Sequence, residues 1–407
     1  MINRQKRNSS RFQDRSSSSC GTGEILGRLD KTITSQRVAL NRYKQSKLPI
    51  ALLSGRNRKT ELDFILNEDM SFQFAERDTD KPITYGFTFI LQFKWPELKK
   101  LVNLICHNKL VPDLNLEYQR DRTRGGKLSP EDEEVWDAIL KSHLQKAVRR
   151  GKVDEAVATA NLMLDRCPIK LLRRLPIIII EDVCLNRHFG TLIWLMVYYS
   201  DRLSRCFNND DGIVLKWRWR NLILSQVEHL CKEKWQDCIN FTSSFQEIDW
   251  IARINKISQS DTQKVDDCNL IYAMEIRKLY GGMDGDMHMI DRIVSTWINR
   301  IESLELDNLI TPVIKDWSKG IPRLTKDNFI IEAIDFHPCP WILPQIKVKT
   351  GIKIPIDALK EVMWHSSSSV NYRVNKPINR DYTILADEYD FTWKKIANEI
   401  LTKYIPA

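Results

Sequence analysis

The chain has 407 residues, 43% of them hydrophobic and 28% charged, with 62 Lys and Arg against 53 Asp and Glu for a formal net charge of +9. This balance belongs to a soluble globular protein with a core large enough for one large or two moderate domains. No run approaches the ~18 to 20 apolar residues that cross a bilayer, and Leu192 to Tyr199, the best candidate, reads as a buried helix.

Residues 1 to 28 are rich in Ser and Arg and predict a disordered basic arm. Through residue 60, fourteen Lys or Arg face three acids, Asp14, Glu24 and Asp30, while 48 bases face 50 acids beyond it. The positive excess is therefore a property of the arm. Arg4, Lys6, Arg7, Arg11 and Arg15 are candidate phosphate contacts, giving salt-dependent and sequence-independent affinity for DNA or RNA. The competing readings are a solvated tail and a mitochondrial transit peptide. The second arises because residues 1 to 20 hold five basic residues and six serines with Asp14 as the acid. An apolar core of the secretory kind is missing. Nine cysteines, an odd number without tight pairing, point to free thiols in an intracellular reducing compartment, cytoplasm or nucleus.

Residues 29 to 128 read as a small mixed α/β region. Asp30 to Gly55 allows one or two short helices. Phe72-Gln73-Phe74 and Tyr85 to Leu91 are aromatic and β-branched, and predict a small hairpin turning at Asp78 to Pro82. Pro96 then starts a predicted helix carrying Leu98, Leu101, Val102, Leu104 and Ile105. Arg120 to Ser129, with Gly125-Gly126, is a polar linker.

Residues 129 to 320 predict a helical domain. Ser129-Pro130-Glu131-Asp132 supplies a capping oxygen, a proline at the first helical position and first-turn acids. The helix runs to Gly151 on Trp136, Ile139, Leu140, Leu144, Ala147 and Val148. A second helix, with small Ala156, Ala158 and Ala160, ends at Cys167-Pro168, making a tight helical hairpin. Pro168 opens a third helix, kinked at Pro176. Further helices are expected from Asp211 to about Trp235, Ser260 to Tyr280 and Met287 to Leu304. In residues 321 to 407 the prolines 322, 338, 340, 344 and 355 predict an irregular region, followed by a helix from Asp357 to Trp364.

Within this domain, Lys146-Ala147-Val148-Arg149-Arg150-Gly151-Lys152, Asp154-Glu155-Ala156, Leu172-Arg173-Arg174-Leu175 and Glu181-Asp182-Val183 form a pattern over residues 143 to 190. It resembles the helical C-terminal collar of clamp-loader-like AAA+ ATPases of the recombination factor A type. The family's glycine after the acidic pair is Cys184 here, and no G-x-x-x-x-G-K-[ST] phosphate loop exists in the chain. The resemblance thus implies an assembly domain without an ATPase core, with Lys146, Arg149, Arg150, Arg173 and Arg174 exposed to phosphate or solvent. It also implies protein partners or a homo-oligomer formed through these helices.

Other constellations carry chemistry in type but not in spacing. Lys216-Trp217-Arg218-Trp219-Arg220 interleaves cations and aromatics, although positions 217 and 219 lie about 200° apart on a helix, which favours a half-buried helix. Asp335, His337 and Cys339 gather a carboxylate, an imidazole and a thiol in a proline-stiffened loop. Ser366, Asn371 and Arg373 are candidate ligands for a phosphate. Asp284 to His288 reads as a glycine turn before a helix, and His229, Cys231 and Cys238 lack metal spacing. No cofactor and no metal are expected, and no catalytic triad is recognisable. The combined expectation is a mainly α, multi-helical protein with a small β element near residues 70 to 93. Its expected role is non-catalytic and nucleic-acid-associated, in DNA replication or repair. The alternatives are a protein-interaction scaffold and an enzyme built from the 335 to 341 and 364 to 373 segments.

Overall fold

A computed structural model describes residues 60–78, 82–114, 117–118, 128–206, 213–233, 249–260, 264–282, 284–303 and 309–334, together with 395, 397–399 and 401–405. Met1–Arg58 and Lys59–Ala407 separate as two units, and the described residues all belong to the second. The basic arm, the Asp30 to Gly55 segment and the Asp357 to Trp364 helix lie outside the described residues.

The protein is mainly helical, with a small four-stranded sheet and a separate two-stranded pairing among the described residues. Strands β1 (Thr60–Leu66), β2 (Phe72–Asp78), β3 (Phe87–Trp95) and β4 (Lys100–His107) pair in the order β2-β1-β4-β3. β1 is antiparallel to β2 and parallel to β4, and β3 is antiparallel to β4. Two expectations are corrected here. The Phe72 and Tyr85 segments do not form a hairpin, because β2 and β3 lie at opposite edges of the sheet. Pro96 does not start a helix: Pro96 to Lys99 is a tight turn, closed by Lys99 N–H on Pro96 O at 3.0 Å, with Lys99 at φ 53°. The residues after it form the central strand β4. A polar row across one sheet face fixes the strand order. Gln92 donates to Asn103 at 2.8 Å, Asn103 to Glu61 at 2.7 Å and Asp63 at 2.8 Å, and Arg77 to Glu61 at 2.9 Å.

After a helical turn over residues 108–114, the chain enters helices α1 (Pro130–Arg149), α2 (Val153–Arg166) and α3 (Pro168–Asp182). Ser129 Oγ accepts from Asp132 N–H at 3.2 Å, as the capping motif predicts. Gly151, at φ 63°, makes the turn into α2, where an L side chain would be strained and its Cβ would meet Cys231 O at 3.2 Å. α3 contains Pro176 inside it and buries Ile177 to Ile180 on all sides. Helices α4 (Phe189–Cys206), α5 (Trp217–Lys232), α6 (Trp250–Ser260), α7 (Val265–Leu279) and α8 (Asp284–Ser303) follow. The helix expected from Asp211 begins only at Trp217, because Ile213–Val214 (β6) pairs with Glu117–Tyr118 (β5). The helix expected at Ser260 to Tyr280 is α7, which starts at Val265, and α6 precedes it without having been expected.

Sheet and helices share one apolar core, in which Trp95, Phe64, Trp194, Phe189 and Trp219 are fully buried. Gly190 lets α4 meet the sheet closely: a Cβ there would sit 2.2 Å from the Phe72 ring. Residues 321–334 are irregular except for a 3-10 turn at Ile331–Ala333. Among the described residues no helix is long and apolar enough to cross a membrane.

Candidate functional site

Helices α1 and α3 run side by side in the same direction, with Asp137, Gln145 and Arg149 meeting Lys170, Arg174 and Asp182 in turn. Spacing of four residues sets Asp137, Lys141, Gln145 and Arg149 in one row on α1. Lys170, Arg174, Glu181 and Asp182 of α3 face it. Lys170 Nζ donates to Asp137 Oδ2 at 2.7 Å, and Arg174 donates to Gln145 Oε1. Gln145 Nε2 donates to Glu181 at 2.9 Å and to Asp182 at 2.7 Å. Arg149 closes this end, reaching Glu181 at 2.8 Å and bonding Asp182 through Nε. Arg174 also lies 3.7 Å from Asp286 of α8. Burial pushes the Asp182 carboxyl up, to about 6, against the pull of Arg149.

The five cations of the collar-like segment therefore do not form the exposed face that the sequence suggests. Lys146 is 4% exposed, with Nζ on Glu332 O at 2.8 Å and Ser142 Oγ at 3.4 Å. Arg150 pairs with Glu332 at 3.3 Å. Arg173 donates to Tyr280 O, while its own carbonyl accepts from Arg277 Nε at 3.1 Å. Arg149 and Arg174 belong to the seam above. Burial accounts for Lys146, Arg149, Arg173 and Arg174, whose charges turn to oxygens within the fold, whereas Arg150 is exposed and meets Glu332 at the surface.

His143 stands at the centre of α1 with no exposed surface. Its Nε2 accepts from Ile330 N–H at 2.9 Å and its Nδ1 lies 2.7 Å from Thr159 Oγ1. Because Nε2 is an acceptor, the ring is neutral with the proton on Nδ1. Burial and the nearby Lys146 and Arg150 hold its pKa down to about 3. The unfolded chain takes up a proton near the ordinary value of 6.5 while the folded chain does not. Stability is therefore complete above about 6.5 and is lost as pH falls toward about 3, by up to about 1.4 kcal/mol per pH unit. Chemical denaturation of wild type and His143→Asn between pH 7 and 5 tests this: the wild-type curve should fall more steeply, by about one proton. Equal slopes would count against it.

At the start of α5, Trp219 is buried and donates to Asp113 O at 2.8 Å, whereas Trp217 is exposed. Arg220 pairs with Asp165 and lies 5.5 Å above the Trp217 ring, and Arg218 reaches Asp113 at 3.1 Å. This is the half-buried helix. Asp284 and Asp286 lie in the first turn of α8 rather than before it, and His288 is exposed. Among the described residues no cluster of three or more His, Cys, Asp or Glu has the geometry to hold a metal ion. Cys106, Cys167, Cys184, Cys231 and Cys268 are not joined in disulfides. Asp335, His337, Cys339, Ser366, Asn371 and Arg373, with Arg4, Lys6, Arg7, Arg11 and Arg15, lie outside the described residues.

No protein family, curated protein or solved structure matches this chain. The seam residues that sequence reading passed over, Asp137, Lys141, Gln145 and Lys170, did leave a signal. Asp137, Lys141, Gln145 and Arg149 recur at every fourth position of α1, the spacing that sets side chains in one row.

Proposed function

We infer that the protein is a non-catalytic, nucleic-acid-associated factor in which the basic N-terminal arm supplies the phosphate contacts and the helical body supplies an assembly domain. The observation that carries this reading is the segregation of charge. Fourteen basic residues face three acids through residue 60, and 48 face 50 after it. The body's collar-like cations are held by internal partners. Phosphate affinity in this reading belongs to Arg4, Lys6, Arg7, Arg11, Arg15 and their neighbours, and should vary steeply with salt. The resemblance of residues 143 to 190 to a clamp-loader collar adds DNA replication or repair as the setting.

The test is binding of a labelled oligonucleotide, single- or double-stranded, by the full chain and by residues 61–407 across a salt series. The full chain should show log affinity falling linearly with log salt, by roughly 0.9 per duplex phosphate neutralised. Removing the arm, or replacing its first five cations with Gln, should take away most of that dependence. Affinity that survives removal of the arm, or no binding by the full chain, would sink the proposal. Protein capture that persists after nuclease treatment, without oligonucleotide binding, would select a protein-interaction scaffold instead.

A further inference from the structure

Helix α7 buries a carboxyl that the fold leaves without a hydrogen bond. Glu275 stands three residues after Tyr272, whose ring packs on Phe74 and Trp95 of the sheet with centroids 5.2 and 6.0 Å away. Only 4% of the Glu275 side chain is exposed, and its Oε1 is buried with no hydrogen-bond partner among the described residues. Its Oε2 lies 4.0 Å from Lys278 Nζ, beyond hydrogen-bond reach. That ammonium is committed elsewhere, because Lys278 donates to Asp291 of α8.

The charges around Glu275 make the place worse for an anion. Asp291 shares its single nearby cation, and Glu97, exposed on the turn between β3 and β4, adds a second like charge. Of the other elements packed against α7, β2 brings Glu76, which pairs with Lys100, and α6 brings Arg253, which pairs with Glu302. α4 carries Asp201, and none of these acts on Glu275. A buried carboxylate without a donor is unfavourable, and the group answers by keeping its proton. Burial above all pushes the carboxyl up, to about 7, with Lys278 pulling it down and Asp291 and Glu97 adding to the rise.

We propose that Glu275 is a proton-operated latch: as the neutral acid it lets α7 and α8 close around it, and on ionising it draws Lys278 from Asp291 and loosens α8. The effect would reach α3, since Asp286 in the first turn of α8 lies 3.7 Å from Arg174. A carboxyl whose pKa in the closed form lies above the ordinary 4.5 favours that form fully below 4.5, and the advantage is lost as pH rises through about 7. The latch is separate from the N-terminal arm and does not depend on the arm's binding anything.

The experiment uses the full chain and two readouts. Infrared difference spectra of wild type against Glu275→Gln read the proton directly. At pH 5.5 wild type should show a protonated carboxyl band that the variant lacks, and the band should be gone by pH 8.5. Amide hydrogen exchange, corrected for the intrinsic effect of pH, reads the latch. Between pH 6 and 8 the opening of α8 over Ile290 to Ile301 should rise roughly tenfold more in wild type than in Glu275→Gln, with no such difference in α2.

Asp291→Asn frees Lys278 for Glu275 and removes a like charge, so in that variant the band should vanish at a lower pH. The shift identifies the group even if Glu275→Gln does not fold. A wild-type chain with no such band at pH 5.5 holds Glu275 ionised and overturns the proposal. So does a band that Asp291→Asn leaves unmoved, or exchange in α8 that depends on pH equally with Glu and with Gln at position 275.

Discussion

Arg149→Met is expected to destabilise the fold by ~3–5 kcal/mol, the loss typical when one member of a buried ion-pair network is removed. The substitution keeps the aliphatic bulk of the side chain, so the effect comes mainly from charge. Arg149 bonds both Glu181 and Asp182, and only 4% of the Asp182 side chain is exposed. Without the guanidinium, Asp182 keeps a hydrogen bond from Gln145 and has the Glu181 carboxylate beside it. Glu181, whose side chain is 31% exposed, can reach water, and Asp182 cannot.

The pH dependence separates this account from simple loss of packing. The Asp182 carboxyl already sits above its ordinary value because of burial, and Arg149 is what draws it down. In the variant it should rise further. A carboxyl whose folded pKa lies above its unfolded value contributes stability below the unfolded value and loses it as pH rises through the folded one. The deficit of Arg149→Met against wild type should therefore shrink on going from pH 8 to pH 5. Adding Asp182→Asn should recover most of the loss at neutral pH, since Asn still accepts from Gln145 without carrying charge. Denaturant midpoints of the three proteins measure both effects. A deficit independent of pH, or a double variant as weak as the single, would place the loss in packing.

How legible each part was in the sequence depended on whether its partners are local. The α1–α2 hairpin announces itself through Ser129, Pro130 and Gly151, whose effects act within a few residues. The third helix was readable from Pro168 and the spacing of Leu171, Leu172 and Leu175, although the four isoleucines after Pro176 resemble a strand. They are helical because α3 is enclosed, so burial erases the stripe that would separate helix from strand. The sheet was misread for the matching reason. Leu98, Leu101, Val102 and Ile105 have helical spacing, but Val102 to Cys106 are all buried in a central strand parallel to β1. A strand covered on both faces loses its alternation. The partners of β4 lie at residues 62–66 and 87–95, and no local signal joins the first to it.

The candidate site was half legible in the same sense. The cations of the collar-like segment were found as a group, but which of them are satisfied depends on Glu332, Tyr280 and Asp286, each over 100 residues away.

Trp194 joins the two halves of the fold, and its replacement should have the other large effect. Its indole Nε1–H lies 3.2 Å from both Phe64 O and Ile105 O, so one donor bridges the parallel strands β1 and β4 from helix α4. The ring is fully buried and stacks on Tyr198, whose hydroxyl donates to Leu114 O at 3.1 Å. Trp194→Ala should cost ~3–5 kcal/mol through lost burial and the cavity left behind. Trp194→Phe retains most of the apolar contact but removes the donor, and should cost about 1–3 kcal/mol, the desolvation penalty of leaving buried carbonyls less satisfied. The signature lies in where the loss appears. Parallel β1–β4 pairing has no local connection to maintain it, so amide hydrogen exchange in Phe64 to Leu66 and Leu104 to Cys106 should accelerate in Trp194→Phe more than exchange within α1 or α2. Uniform acceleration across sheet and helices would mean that Trp194 supports the whole core without any particular role in fastening the sheet to α4.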